Sequence, residues 1–159
     1  AMVPILAFNY GARKPERITK LMRCALLTAL VIMLVGLGVF QLLTDQLLGI
    51  FEPSETFLML GRSALRIVSI HFPVAVVGIC MSACFQALGN GIYSTIVSLC
   101  RQMIALLPVA YLLSLTGNVH AVWWAFPVAE VVSSVTALIL FAKIYKNKIK
   151  PLSQEGIIQ

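Results

Sequence analysis

The sequence predicts an all-α fold: a polytopic membrane helix bundle with four full transmembrane helices plus the end of a preceding one. Three observations carry this expectation. Hydrophobic residues make up 60% of the 159 and charged residues only 11%, against roughly 45–50% and about 25% in a typical soluble domain. The apolar residues gather into runs of the ~20 residues that a hydrocarbon core demands of a helix, and mean hydropathy is +0.95. Nine of the twelve basic residues fall into two patches flanking those runs: Arg13, Lys14, Arg17, Lys20 and Arg23 in one, and Lys143, Lys146, Lys148 and Lys150 in the other. A compact soluble domain lacks the polar residues to cover its surface here. Disorder is excluded because it needs low hydrophobicity and high charge.

Each element follows in order. Residues 2–9 read as the tail of a longer apolar helix without the charged start of a signal peptide, so the chain is expected to be a fragment. The first full span covers residues 21–43. The connector after it holds Asp45, Glu52 and Glu55, three of the six acids, and no base. Ser54 has the side chain to cap a helix beginning at Glu55. Residues 55–69 read as an amphipathic entry with Arg62 and Arg66 one turn apart, leading into a span at 67–88 that contains His71 and Pro73. Gly89-Asn90-Gly91 is a turn by composition. A third span covers 92–115, with Arg101, Gln102 and Pro108 inside it, and Thr116-Gly117-Asn118 ends it. The fourth covers 121–141, opens on Trp123 and Trp124 as an interfacial belt, and carries Pro127 and Glu130. Residues 151–159 are expected to be a polar tail, frayed beyond Pro151.

The basic patches set the orientation. The positive-inside rule places loop 11–23 and the C-terminal tail in the cytoplasm and the acidic connector outside, in a multi-pass plasma-membrane protein. Four spans satisfy that parity. A weak internal echo aligns Gly11, Ile18, Leu21 and Arg23 with Gly89, Ile96, Leu99 and Arg101, 78 residues later, as in transporters built from repeats. The net charge of +6 is thus a marker of topology. Nucleic acid is excluded as a partner because no aromatic residues interleave the patches as a stacking platform requires.

Few residues carry chemistry. Glu130 is the one acid inside an apolar span. It lies nine residues past Ala121, which at ~1.5 Å per residue is ~13–14 Å deep, close to the middle of a ~30 Å core. A carboxylate there must be paired, protonated or hydrated. It is either a proton, cation or cationic-substrate site, or a structural carboxylate bonded to Ser, Thr or Trp groups. Arg101 enters from the opposite side and is its obvious partner, although the echo with Arg23 favours a side chain that snorkels to the headgroups. His71 sits beside Pro73, which frees the carbonyl of Ser69; a His at a kink is a gate, a relay or a packed hydrogen-bond partner. Gln86 and Gln102 flank the inner turn. Cys80 and Cys84 share a helix face and read as small packing residues, with no second pair and no His at metal-ligand spacing. No catalytic template or metal site is present, so an enzyme is not expected.

At this point the motifs resemble a family. Asn9-Tyr10-Gly11-Ala12-Arg13, running into a basic stretch and a span, is similar to the signature that ends the eighth helix of MATE (multidrug and toxic compound extrusion) transporters. Phe85-Gln86-Ala87-Leu88-Gly89 resembles the family's end of helix ten, and Arg101-Gln102 with Pro108 its helix eleven. Trp124-Ala125-Phe126-Pro127-Val128-Ala129-Glu130 resembles the start of helix twelve. The resemblance implies that residues 1–150 are part of the C-terminal lobe of a two-lobed, 12-helix antiporter. Such a protein exports organic cations in exchange for H⁺ or Na⁺ by alternating access, with no cofactor beyond the coupling ion. Its partners would be the lipid bilayer, small organic cations and the missing N-terminal portion of the same transporter. Met81, Phe85 and Gln86 would line the substrate pathway with Glu130, Arg101 and His71, or else, as apolar and polar positions at helical spacing, simply pack between helices. The sequence departs from the family in lacking an acid between residues 67 and 88, where some members carry an Asp. A second reading is a stand-alone four-helix membrane scaffold or assembly subunit without transport activity.

Overall fold

The structure is a computed structural model that describes residues 2–51 and 54–155, with side chains described to residue 152. Glu52 and Pro53 of the acidic connector, and tail residues 156–159, lie outside the described residues. Among the described residues there are helices and turns and no strand. The order is α1 (Met2–Gly11), α2 (Pro15–Leu42), α3 (Thr44–Gly49), α4 (Glu55–Ser69), α5 (Phe72–Ala87), α6 (Gly91–Leu99), a π-helical stretch (Cys100–Leu106), α7 (Leu107–Ser114), α8 (Val119–Val122), α9 (Ala125–Ile144), a second π-helical stretch (Tyr145–Ile149) and α10 (Lys150–Glu155). Three continuous helical rods are long and apolar enough to cross a membrane: Pro15–Leu42, Gly91–Ser114 and Val119–Leu152. The pair α4 and α5 makes a fourth if counted as one span bent by 51°.

α5 occupies the centre. It packs against α9, α2, α6 and α1, and it buries Ala75, Gly78, Cys80 and Cys84 among its inward residues. Such small side chains let neighbouring helices approach closely, which matters because lipid offers no hydrophobic drive for helix association. α9 answers with Ala129, Ser133 and Ala137, all buried at four-residue spacing. α2, by contrast, exposes Leu27, Val31, Ile32 and Val35, an apolar surface suited to lipid. The packed core lies at the end where the basic residues gather. It joins Leu6 of α1, Ile18 and Met22 of α2, Met81, Cys84 and Phe85 of α5, Val97 of α6, and Ala137 and Ile144 of α9.

The bend between α4 and α5 has an identifiable cause. Pro73 brings no N–H to the ladder, and ahead of it the backbone tightens, with Ile70 N–H donating to Ile67 O at 3.2 Å and His71 N–H to Val68 O at 3.3 Å. The Arg66 carbonyl then accepts from outside the helix ladder. Gln41 Nε2, on α2, donates to it at 2.9 Å and also to Ser69 Oγ at 3.1 Å. Ser69 Oγ donates to the same carbonyl at 3.1 Å, so Gln41 and Ser69 together satisfy a backbone group that lipid cannot.

Both π-helical stretches end two residues before a proline, Pro108 and Pro151. Leu107 N–H bonds back to Gln102 O and Lys150 N–H to Tyr145 O. The widened turn accommodates a ring that would otherwise clash with the carbonyl four residues earlier. Hence the rod continues through Pro151 to Glu155, and the expected fraying beyond Pro151 is corrected for the described part of the tail.

The turns at the basic end are built alike. In the first, Lys14 N–H donates to Asn9 O and Arg13 N–H to Tyr10 O; in the second, Asn90 N–H donates to Phe85 O and Gly89 N–H to Gln86 O. This paired pattern is a Schellman cap. Its left-handed residue is Arg13 (φ 51°) in one and Gly89 (φ 73°) in the other. The structural equivalents are thus 76 residues apart, so the 78-residue echo is out of register by two and does not mark matching positions.

Two measurements check this account. Gly89→Ala meets open space but must hold a positive φ, so it should cost about 1 kcal/mol of stability in reversible mixed-micelle unfolding. Gln41→Leu removes two interhelical hydrogen bonds and should cost about 1 kcal/mol. Spin-label distances across the α4–α5 bend should broaden in that variant and stay sharp in Gly89→Ala.

Candidate functional site: a buried ion pair between two polar cavities

The carboxylate of Glu130 is buried on α9. Its Oε2 lies 3.5 Å from Arg101 Nη1, and its Oε1 accepts from Ser133 Oγ, one turn along the same helix, at 3.4 Å. The expectation that Arg101 snorkels to the headgroups is therefore corrected. The guanidinium turns toward Glu130 because its residue lies in the π-helical stretch that packs against α9. A π turn carries more residues per revolution than an α-helix, so the face presented by 100–106 is not the one that a regular helix over 92–115 would present. The pair is unevenly buried: the Arg101 side chain is 41% exposed and that of Glu130 5%.

Gly78 of α5 supplies the space opposite. A Cβ there would stand 3.5 Å from Glu130 Oε1 and 3.8 Å from Ser133 Oγ. Any side chain longer than a methyl group would reach the carboxylate. Next to it, Ser134 Oγ donates to the Val74 carbonyl at 3.1 Å and ties α9 to α5.

Two cavities meet at this pair. One, of about 330 Å³, is lined by Gly78, Ser82, Gln86, Ser94, Ser98, Arg101 and Ser133, with Ile79, Ala83 and Val97. The other, of about 220 Å³, is lined by His71, Arg101, Gln102, Leu106, Phe126, Ala129 and Glu130. Arg101 borders both. Gln86 Nε2 donates to Ser94 Oγ at 3.1 Å in the first cavity. His71 faces the second, and its buried Nδ1 has no hydrogen-bond partner among the described residues.

The structure thus brings together Glu130, Arg101, His71 and Gln86 of the residues singled out from sequence. Met81 and Phe85 are not with them: they are 5% and 0% exposed and belong to the packed core at the basic end. Phe85 stacks edge-on against Tyr93. Of the two readings, substrate pathway or packing, their burial fits packing. Asn9 to Arg13 form the cap that ends α1, with Asn9 Nδ2 donating to Ile5 O at 2.8 Å, and Ala12 N–H donating to Phe8 O. Gly78 and Ser133 escaped sequence reasoning. The small residues at four-residue spacing, Ala129, Ser133 and Ala137, were the signal that marks this face of α9. Among the described residues no cluster of three or more His, Cys, Asp or Glu could hold a metal.

The fold defines an all-α polytopic membrane bundle, with a half-exposed arginine paired to a buried carboxylate between its helices. The MatE family model matches residues 1–112, and the chain belongs to the MATE family, whose members are membrane transporters. The fold is also that of solved MATE structures. An inward-facing multidrug resistance MATE transporter of the MOP superfamily matches with a TM-score of 0.84 at 22% identity, over 96% of this chain and 35% of that one. An outward-facing conformation matches with a TM-score of 0.84 at 22% identity, over 96% and 34%. A MATE protein in complex with MaL6 matches at 0.84 and 23% identity, over 96% and 34%. The chain spans about a third of the length of these transporters. No curated protein matches it.

The ion pair makes a stability prediction. Removing Arg101 leaves a buried carboxylate alone, whereas removing both charges leaves none. Arg101→Gln should therefore destabilise the protein more than the double variant with Glu130→Gln. The coupling should be on the order of 1–2 kcal/mol, reduced by the partial exposure of Arg101. A double-mutant cycle showing no coupling would remove the pair as an energetic unit.

Proposed function

We propose that residues 1–150 are part of the C-terminal lobe of a secondary antiporter. It exports organic cations from the cytoplasm across the plasma membrane by alternating access, and Glu130 is its coupling site. The observation that carries this reading is the buried Glu130 carboxylate, paired with a half-exposed Arg101 that borders two cavities. A buried carboxylate is retained in a span at a cost, and a site that must take up and release a cation explains that cost.

H⁺ suits this site better than Na⁺. Sodium needs several oxygen ligands, while the nearest charged neighbour of Glu130 is a guanidinium that competes with any cation. Protonation of Glu130 breaks the ion pair and frees Arg101 toward the larger cavity. Loss of the proton restores it. The same carboxylate, when released from Arg101, is a counter-charge for an organic cation, so proton and substrate exclude one another there. That exclusion is the requirement for antiport. With the positive-inside rule, the end bearing Arg13–Arg23 and Lys143–Lys150 is the cytoplasmic one.

The test is Glu130→Gln in the intact transporter, reconstituted in vesicles with a pH gradient or a Na⁺ gradient. Dye efflux driven by the pH gradient should fall to the level of empty vesicles, while the variant remains folded and correctly inserted. Undiminished pH-driven efflux would return Glu130 to a structural role. Efflux driven by Na⁺ alone would reassign the coupling ion.

A further inference from the structure

A second polar feature lies apart from the ion pair, at the basic end, where the start of α2 meets the C-terminal rod. There a groove of about 830 Å³ is lined by Glu16, Thr19, Lys20 and Arg23 from α2 and by Tyr145 and Lys150 from the far end of the chain. Three cations face one carboxylate. Their neighbours Ile18 and Met22 point the other way, into the core, so the cationic face of α2 is set by the inward face. The groove is thus a consequence of packing between segments more than 120 residues apart in sequence.

What lies above the groove identifies its occupant. On α2, Lys20 and Arg23 are followed on the same face by Leu27, Val31 and Leu34, at spacings of four, four and three residues. All three are exposed. The surface therefore changes from cationic to apolar along a single helix stripe, as a membrane changes from headgroup to acyl chain. Tyr145 stands at the same level, as interfacial tyrosines do.

We propose that this groove binds the headgroup of an anionic phospholipid. Lys20, Arg23 and Lys150 hold its phosphate, Tyr145 offers a hydroxyl group, and an acyl chain lies along Leu27, Val31 and Leu34. A soluble anion would satisfy only the charges and leave the apolar stripe uncovered. Basic recesses between membrane helices recognise anionic lipids in this way. The inference does not depend on the role assigned to Glu130.

The test uses the detergent-purified protein, titrated with phosphatidylglycerol, phosphatidylcholine or inorganic phosphate while thermal unfolding is followed. Phosphatidylglycerol should raise the unfolding temperature; phosphatidylcholine and phosphate should not. Each basic residue at an anionic surface contributes roughly a fivefold preference. Lys20→Ala with Arg23→Ala should therefore lower the affinity for phosphatidylglycerol about 25-fold. The double variant Lys143→Ala with Lys146→Ala removes the same charge from exposed positions of the same end and should lower it far less. Lys150→Ala, at an exposed position of the terminal helix, gives the same answer if the α2 variant fails to fold, with about a fivefold loss expected. Equal losses in the two double variants, no loss in Lys150→Ala, or an equal response to phosphate alone would overturn the proposal.

Discussion

Every polar group placed in hydrocarbon must find its partner within the protein, and this constraint shapes more of the chain than apolar packing does. The break between α4 and α5 exposes a carbonyl at Arg66, and Gln41 reaches across from α2 to accept responsibility for it. At Pro108 and Pro151 the ladder is kept by widening it into π turns whose N–H groups reach back five residues. Glu130 is held by Arg101, Ser133 and the gap at Gly78. In each case a local irregularity is stable because a specific side chain or backbone adjustment completes the hydrogen bonding.

The legible part of the fold was the part that depends on one-dimensional quantities. Apolar run length located the helices, and the glycines at 89 and 117, both with positive φ, marked turns as their composition required. Ser54 accepts from Phe57 N–H as a capping residue should. The partner of Arg101 was not legible, because its direction depends on a π-helical stretch that carries no apolar periodicity of its own. Met81 and Phe85 were not legible for a different reason. Their helix is apolar all round, so sequence offers no way to tell a cavity-facing position from a packed one.

The internal echo shows the limit of identity without geometry. Gly11 and Gly89 align as letters, but Gly11 is still helical and it is Arg13 that takes the left-handed position equivalent to Gly89. An arginine at positive φ carries a strain that glycine avoids. It is tolerated where the surrounding cap bonds fix the backbone, with Lys14 N–H on Asn9 O and Arg13 N–H on Tyr10 O. The N-Y-G-A-R sequence is thus explained by the cap it forms rather than by contact with the ion pair.

The uneven burial of the central pair gives a direction to any change at this site. Glu130 is enclosed by α5 and α9, while Arg101 keeps 41% of its side chain exposed and borders both cavities. The guanidinium therefore has open space on two sides, and the carboxylate does not. Once Arg101 moves away, Glu130 is left as an isolated buried charge that another cation has to compensate. Withdrawal of the arginine and arrival of a cation are then linked by energetics rather than by contact between distant parts of the chain. On the proposed cycle, the rest of the transporter has only to favour one position of Arg101 over the other for the occupancy of Glu130 to follow.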